Sequence, residues 1–122
     1  MLTPIEMAKI AVRALDEKKG RDLSMLATRD ITVLADYFVI ATATSTTHIK
    51  SLADEVEKAL KDNGETPLHI EGRHGGGWVL VDFGCVVVHL FLEDVREFYQ
   101  LERLWSDAKK VEVSEFLETV KD

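Results

Sequence analysis

The sequence predicts a single α/β domain: a mixed five-stranded sheet flanked by helices. Three observations lead there. Helical and extended periodicities alternate along the chain in the order α-β-β-α-β-β-β-α, a layered α/β arrangement. The stretch 78–92, WVLVDFGCVVVHLFL, reads as two apolar strands joined by a tight turn. The length of 122 residues suits one domain with one core.

The elements follow in order. Thr3-Pro4 is a cap followed by a first-turn proline. Ile5, Ala8, Val12 and Leu15 then recur at helical spacing, and Gly20 closes the segment. Leu23 to Thr28 predicts a first strand. Asp36 to Thr44, DYFVIATAT, predicts a stronger second one, rich in aromatic and β-branched residues. The run Thr44-Ser45-Thr46-Thr47 offers several N-caps for a second helix. Its apolar stripe is Ile49, Leu52, Ala53, Val56 and Leu60, and Asn63-Gly64 ends it in a left-handed cap.

Pro67 to Ile70 predicts a short third strand. The second strand, the helix and this third strand would form a right-handed crossover, and hence a parallel pair. After the loop Glu71 to Gly77 comes the hairpin. Gly84-Cys85 as a two-residue loop suits a type II′ turn, with glycine first. That register sets Trp78 opposite Phe91, Leu80 opposite His89, Asp82 opposite Val87 and Phe83 opposite Val86. Side chains alternate along a strand. One face therefore carries Val79, Val81, Phe83, Val86, Val88, Leu90 and Leu92, and must be core. The other carries Trp78, Leu80, Asp82, Val87, His89 and Phe91. This mixture is expected to face outward as a surface for a partner to cover. Glu93-Asp94 opens a last helical region with Val95, Phe98, Leu101, Glu102 and Trp105 at three- to four-residue spacing. Ser114 is a candidate cap for a short C-terminal helix holding Phe116, Leu117 and Val120. The organisation expected is thus a domain over 1–108 and a C-terminal tail over 109–122.

Composition narrows the function. Hydrophobic residues make up 46% and charged residues 30%, ordinary for a globular protein. No apolar run approaches the roughly 20 residues a membrane helix needs. The N-terminus MLTPIEMAKI lacks the pattern of a signal peptide, so a cytoplasmic location is expected. A single cysteine, Cys85, excludes an internal disulfide. The net charge is −7 and no basic block exists beyond Lys18-Lys19 and Lys109-Lys110. Nucleic-acid binding depends on Lys and Arg neutralising phosphates, so direct recognition is not expected. An acidic surface instead steers towards a basic protein.

The chain offers little for catalysis. Gly72, Gly75, Gly76 and Gly77 precede a strand, whereas phosphate loops follow one and open a helix. The spacings of His48, His69, His74, His89 and Cys85 do not resemble a zinc site. Ser45 lacks a nucleophile elbow, and Cys85 has no evident base. Asp36, Asp82, Glu93 and Asp94 lack the Gly-Ser pair and Asp-x-Asp of nucleotidyl transfer. No catalytic residue, metal or cofactor is expected. Tyr99 and Trp105 suit the core of an amphipathic helix and an interface hot spot equally well.

The residues DYFVIATATSTTH (36–48), WVLVDFG (78–84), VVVHLFL (86–92) and FYQLERLW (98–105), in that order, resemble the ribosomal silencing factor family, also called iojap. The resemblance runs from Ile5 to Ala108. It implies a domain similar to the nucleotidyltransferase fold without its catalytic residues, and a role that is not enzymatic. Members bind large-subunit ribosomal protein fourteen on the face that meets the small subunit. They keep the subunits apart and repress translation when nutrients are scarce, and their free form is often a homodimer. The family's shared positions here are Asp36, Tyr37, Trp78, Asp82, Gly84, His89, Tyr99, Leu101, Glu102, Leu104 and Trp105. Cys85 stands where the family usually has an acid, and Ala43 where it often has glycine. The expected partner-binding residues are Trp78, Asp82, His89, Phe91, Tyr99, Leu101, Glu102 and Trp105. The alternative is a nucleotide-binding, nucleotidyltransferase-like protein using the helix start at Thr44–Thr47.

Overall fold

A computed structural model describes residues 2–28, 35–72, 77–99, 103 and 109–113. The order is α1 (Pro4–Glu17), β1 (Arg21–Ala27), β2 (Tyr37–Ala43), α2 (Thr46–Lys61), β3 (His69–Glu71), β4 (Trp78–Asp82), β5 (Val86–Leu92), α3 (Glu93–Tyr99) and β6 (Lys109–Val111). The strands form one sheet in the order β3-β4-β5-β2-β1-β6. β2 and β5 are parallel, and the other pairs are antiparallel.

Local sequence explains the helices. Thr3 before the helix and Glu6 in its first turn form a reciprocal capping box around Pro4, satisfying amides that α1 itself leaves open. Ser45 Oγ accepts from the His48 amide to cap α2. The stripe Ile49, Leu52, Ala53, Val56 and Leu60 is buried, as its spacing predicts. α1 and α2 pack against each other and on one face of the sheet, where Val39, Ala41, Val79, Val81, Val86, Val88 and Leu90 complete an aliphatic core.

Two expectations are corrected. The parallel partner of β2 is β5, not β3, because a central strand must tolerate burial on both faces. In β5 six of seven residues are buried, whereas β3 is three residues long with His69 and Glu71 exposed. β3 therefore takes the outer edge and pairs only with β4. The sheet also has a sixth strand where the tail was expected to be helical. Lys109–Val111 pairs with β1, setting Val111 opposite Met25 and Lys110 opposite Leu26. The cue was the period-two pattern Lys110-Val111-Glu112-Val113, whose valines pack on the core while the lysines line the edge. The helix placed after Ser114 lies outside the described residues.

Candidate functional site

β4 and β5 pair in the register read from the sequence: Trp78 with Phe91, Leu80 with His89, and Asp82 with Val87. The Phe83 amide donates to the Val86 carbonyl at 2.9 Å. Gly84 has φ +89°, the left-handed first turn position that a type II′ loop needs. Asp82 Oδ1 accepts the Gly84 amide at 2.7 Å, so this carboxylate also braces the turn. Gly72 sits opposite at φ +82°; a Cβ there would lie 2.0 Å from the Trp78 carbonyl oxygen, so only glycine fits.

The mixed face of the hairpin is not uniformly exposed. His89 is 5% exposed and Phe91 0%, which corrects the expectation that both face outward. The reason lies in their neighbours. β5 is central, and its mixed face continues into Phe38 and Ile40 of β2 and Leu26 of β1. With Ala35, Val87 and Phe91 these form a second apolar cluster, against which Val95 of α3 packs. Exposure rises towards β4 and β3. Trp78, Leu80 and Asp82 are half-buried, and Leu68 is 71% exposed.

Trp78 is the hinge of this gradient. Its ring lies 5.0 Å from that of Phe91 at 32°, and its indole N–H donates to His89 Nδ1 at 3.3 Å. That bond places the proton of the neutral imidazole on Nε2. Phe38 meets the imidazole edge-on at 5.0 Å, and Phe91 stacks parallel to it at 6.2 Å. Burial holds His89 well below the ordinary imidazole range, at about 4, although the Asp82 carboxylate opposes that shift. Among the described residues nothing partners His89 Nε2, or Ser24 Oγ on the same face.

Beside Trp78 lies a recess of about 230 Å³ lined by Glu71, Gly72, Trp78 and Leu80. Its surroundings are acidic. Glu71 and Asp82 flank His69, whose Nε2 stands 3.1 Å from Glu71 Oε2 and 3.6 Å from Asp82 Oδ2. The result is an apolar centre with a carboxylate rim, the anatomy of a protein-recognition surface selective for cations. Sequence reasoning missed Glu71 and Gly72, because a strand as short as β3 gives almost no periodic signal. Leu80 was legible from alternation alone.

Other expected residues fall elsewhere. Tyr99 is the last residue of α3. Leu101, Glu102 and Trp105 lie outside the described residues. Cys85 sits in the turn, 3.5 Å from Met7 Sδ. Burial, and after it the Asp36 carboxylate, push its thiol up, the opposite of what a reactive cysteine needs.

A larger cavity, about 510 Å³, opens where the parallel strands β2 and β5 end and α2 begins. Ligands of open α/β sheets commonly bind at such a place. Here, however, Asp22, Glu93, Asp94 and Glu97 oppose a single Arg21 along its wall. Carboxylates in that excess repel a polyphosphate. Arg96 braces this region, donating to the Asp22 carbonyl at 2.7 Å and to Thr42 Oγ1 at 2.8 Å. Among the described residues, no group of three or more His, Cys, Asp or Glu could hold a metal ion, and no helix is long and apolar enough to cross a membrane.

Comparison with known proteins agrees with the earlier resemblance. The family model described as ribosomal silencing factor during starvation matches residues 2–122, past the Ala108 limit read from the motifs. A ribosomal silencing factor of Halalkalibacterium halodurans is 38% identical over 108 residues, covering 88% of this chain and 92% of its own. A mouse protein named for mitochondrial assembly of the ribosomal large subunit is 36% identical over 98 residues, covering 78% of this chain and 43% of its own. A crystal structure from Chromobacterium violaceum superimposes with a TM-score of 0.84 at 40% identity, covering 86% of this chain and 88% of the other.

Proposed function

The chain belongs to the ribosomal silencing factor family, and on that premise we propose that it represses translation by occupying the large ribosomal subunit. It binds ribosomal protein fourteen there and sterically blocks the small subunit, under nutrient limitation and without catalysing a reaction. The observation that carries this reading is the surface of Trp78 and Leu80 with its carboxylate rim at Glu71 and Asp82. Ribosomal proteins are basic because they lie against RNA phosphates, so an acidic rim suits one of them. The name of the mouse relative, which refers to the large subunit, supports the choice of subunit.

In this reading Trp78 is the apolar anchor and Asp82 pairs with Lys or Arg of the partner. Tyr99, Leu101, Glu102 and Trp105 contribute further partner contacts, and His89 and Phe91 support Trp78 from beneath. Free protein forms a homodimer in the cytoplasm. A subunit-association assay tests the function: isolated subunits are mixed with the protein and run on a gradient. The expected result is fewer whole ribosomes with wild-type protein and no effect with Trp78→Ala. Whole ribosomes forming undiminished at saturating wild-type protein would sink the proposal. Calorimetry with ATP and magnesium addresses the nucleotide alternative, and micromolar binding at the α2 cavity would revive it.

A further inference from the structure

We propose that His89 is a positioning residue, which fixes the Trp78 ring in its partner-ready orientation through the indole N–H···Nδ1 bond. The inference rests on the reading above, in which Trp78 anchors the partner, and adds what holds the anchor in place.

Histidine at this position carries a cost. His89 is 5% exposed, and its Nε2 finds no partner among the described residues. A buried donor left unpaired destabilises a fold, whereas an apolar ring of similar shape would not. Its surroundings call for such a ring: Phe38 lies edge-on at 5.0 Å and Phe91 stacks at 6.2 Å. For packing alone, phenylalanine would serve better. What phenylalanine lacks is the acceptor, and Nδ1 uses it on Trp78 at 3.3 Å. Trp78 is itself only half-buried, so enclosure by its neighbours does not by itself fix the ring. The bond therefore acts on orientation.

Phe91 complements it. The tilted ring contact at 5.0 Å and 32° is not directional enough to fix the in-plane position of the indole. The hydrogen bond adds a directional restraint at one edge. An anchor already held in its bound rotamer loses less entropy when a partner arrives. His89 can hold it at any physiological pH, because burial keeps the ring neutral and Nδ1 unprotonated down to about pH 4.

Two substitutions separate positioning from packing. His89→Phe keeps a ring and removes the acceptor; His89→Asn keeps an acceptor at the Nδ1 position and removes the ring. Each is measured against isolated large subunits, by urea denaturation and by the NMR resonance of the Trp78 indole N–H. His89→Phe is expected to fold as stably as wild type or more so, shift that resonance and bind roughly 3- to 10-fold more weakly. His89→Asn is expected to be less stable, yet to keep the resonance and bind more tightly than His89→Phe. A purely structural role predicts the reverse order, with affinity following stability. Wild-type affinity for His89→Phe beside lost binding for Trp78→Ala would overturn the inference alone. Retained binding by Trp78→Ala would overturn the underlying reading. Should either variant fail to fold, imidazole nitrogen shifts of the wild type decide: a proton on Nε2 supports the bond, and one on Nδ1 excludes it.

Discussion

On one face of the sheet, Val79, Val81, Val88 and Leu90 meet α1 and α2 and are all but inaccessible. On the other, the same two strands present Trp78, Leu80, Asp82, His89 and Phe91, whose burial falls from complete at Phe91 to partial at Trp78. The first face is aliphatic and closed by two capped helices. The second is aromatic and polar, and opens towards the β3 edge. A sheet can thus derive its stability from one face and leave the outer part of the other for recognition. The chemistry fits that division: aliphatic side chains pack densely without directionality, while Trp, His and Asp add directional bonds.

The sharpest way to break this comparison is one truncation on each face. Leu90→Ala removes a fully buried side chain beneath the helices and is expected to cost about 2–5 kcal/mol of stability. Trp78→Ala is expected to cost about 1–2 kcal/mol of stability, since the ring is only partly buried and one aromatic pair is lost. It should also remove about 2–4 kcal/mol of binding to large subunits. Urea titration and sedimentation with subunits read both quantities. If Trp78→Ala unfolds as readily as Leu90→Ala, the two faces do not differ in the way described.

How much of this the sequence revealed follows from the same contrast. The helix-covered face was legible throughout, because strict alternation and helical stripes converge on it and each residue has one task. The hairpin register was legible too, since Gly84 alone in the turn accepts the required φ. The burial of His89 and Phe91 was not. It depends on Phe38 and Ile40 of the neighbouring strand β2 and Leu26 of β1, two strands away, lying on the same face, and strand order is a non-local property. The sixth strand was missed because three residues rich in lysine carry little β signal outside the context of an edge. Of the candidate surface, Trp78, Leu80 and Asp82 could be read from alternation, while the recess with Glu71 and Gly72 required the fold.

A second test uses pH, where the two faces differ in kind. Val79, Val81, Val88 and Leu90 have no titratable group; the mixed face has His89, with the Asp82 carboxylate near it. Its pKa falls from 6.5 to about 4 in the folded protein, chiefly through burial. Below pH 6.5 the unfolded chain takes up a proton that the folded chain refuses until about pH 4. Stability is therefore lost as pH falls through this window, by about 3 kcal/mol at its lower end, and is unaffected above it. Urea midpoints at pH 7, 5.5 and 4.5 should show that loss in wild type and a smaller one in His89→Phe. Parallel pH profiles for the two proteins would show that His89 is not the group responsible.

The smallest expected effect isolates the charge at the rim from the brace at the turn, two tasks that Asp82 combines. Oδ1 accepts the Gly84 amide at 2.7 Å, while Oδ2 lies 3.6 Å from His69 Nε2 and remains partly open to solvent. Asp82→Asn retains an oxygen for the amide and loses the negative charge. The hairpin should hold, with stability changed by less than about 0.5 kcal/mol, the usual range for a surface substitution. Binding to large subunits should weaken about 2- to 5-fold at low salt, mainly through slower association, and the difference should shrink as salt screens the rim. Asp82→Ala removes both functions and should lose stability as well, by about 1 kcal/mol for the freed amide. Surface plasmon resonance across a salt series separates the two contributions. An Asp82→Asn variant whose association rate and salt dependence match wild type would leave Asp82 as a turn residue only, and the recognition surface would shrink to Trp78, Leu80 and Glu71.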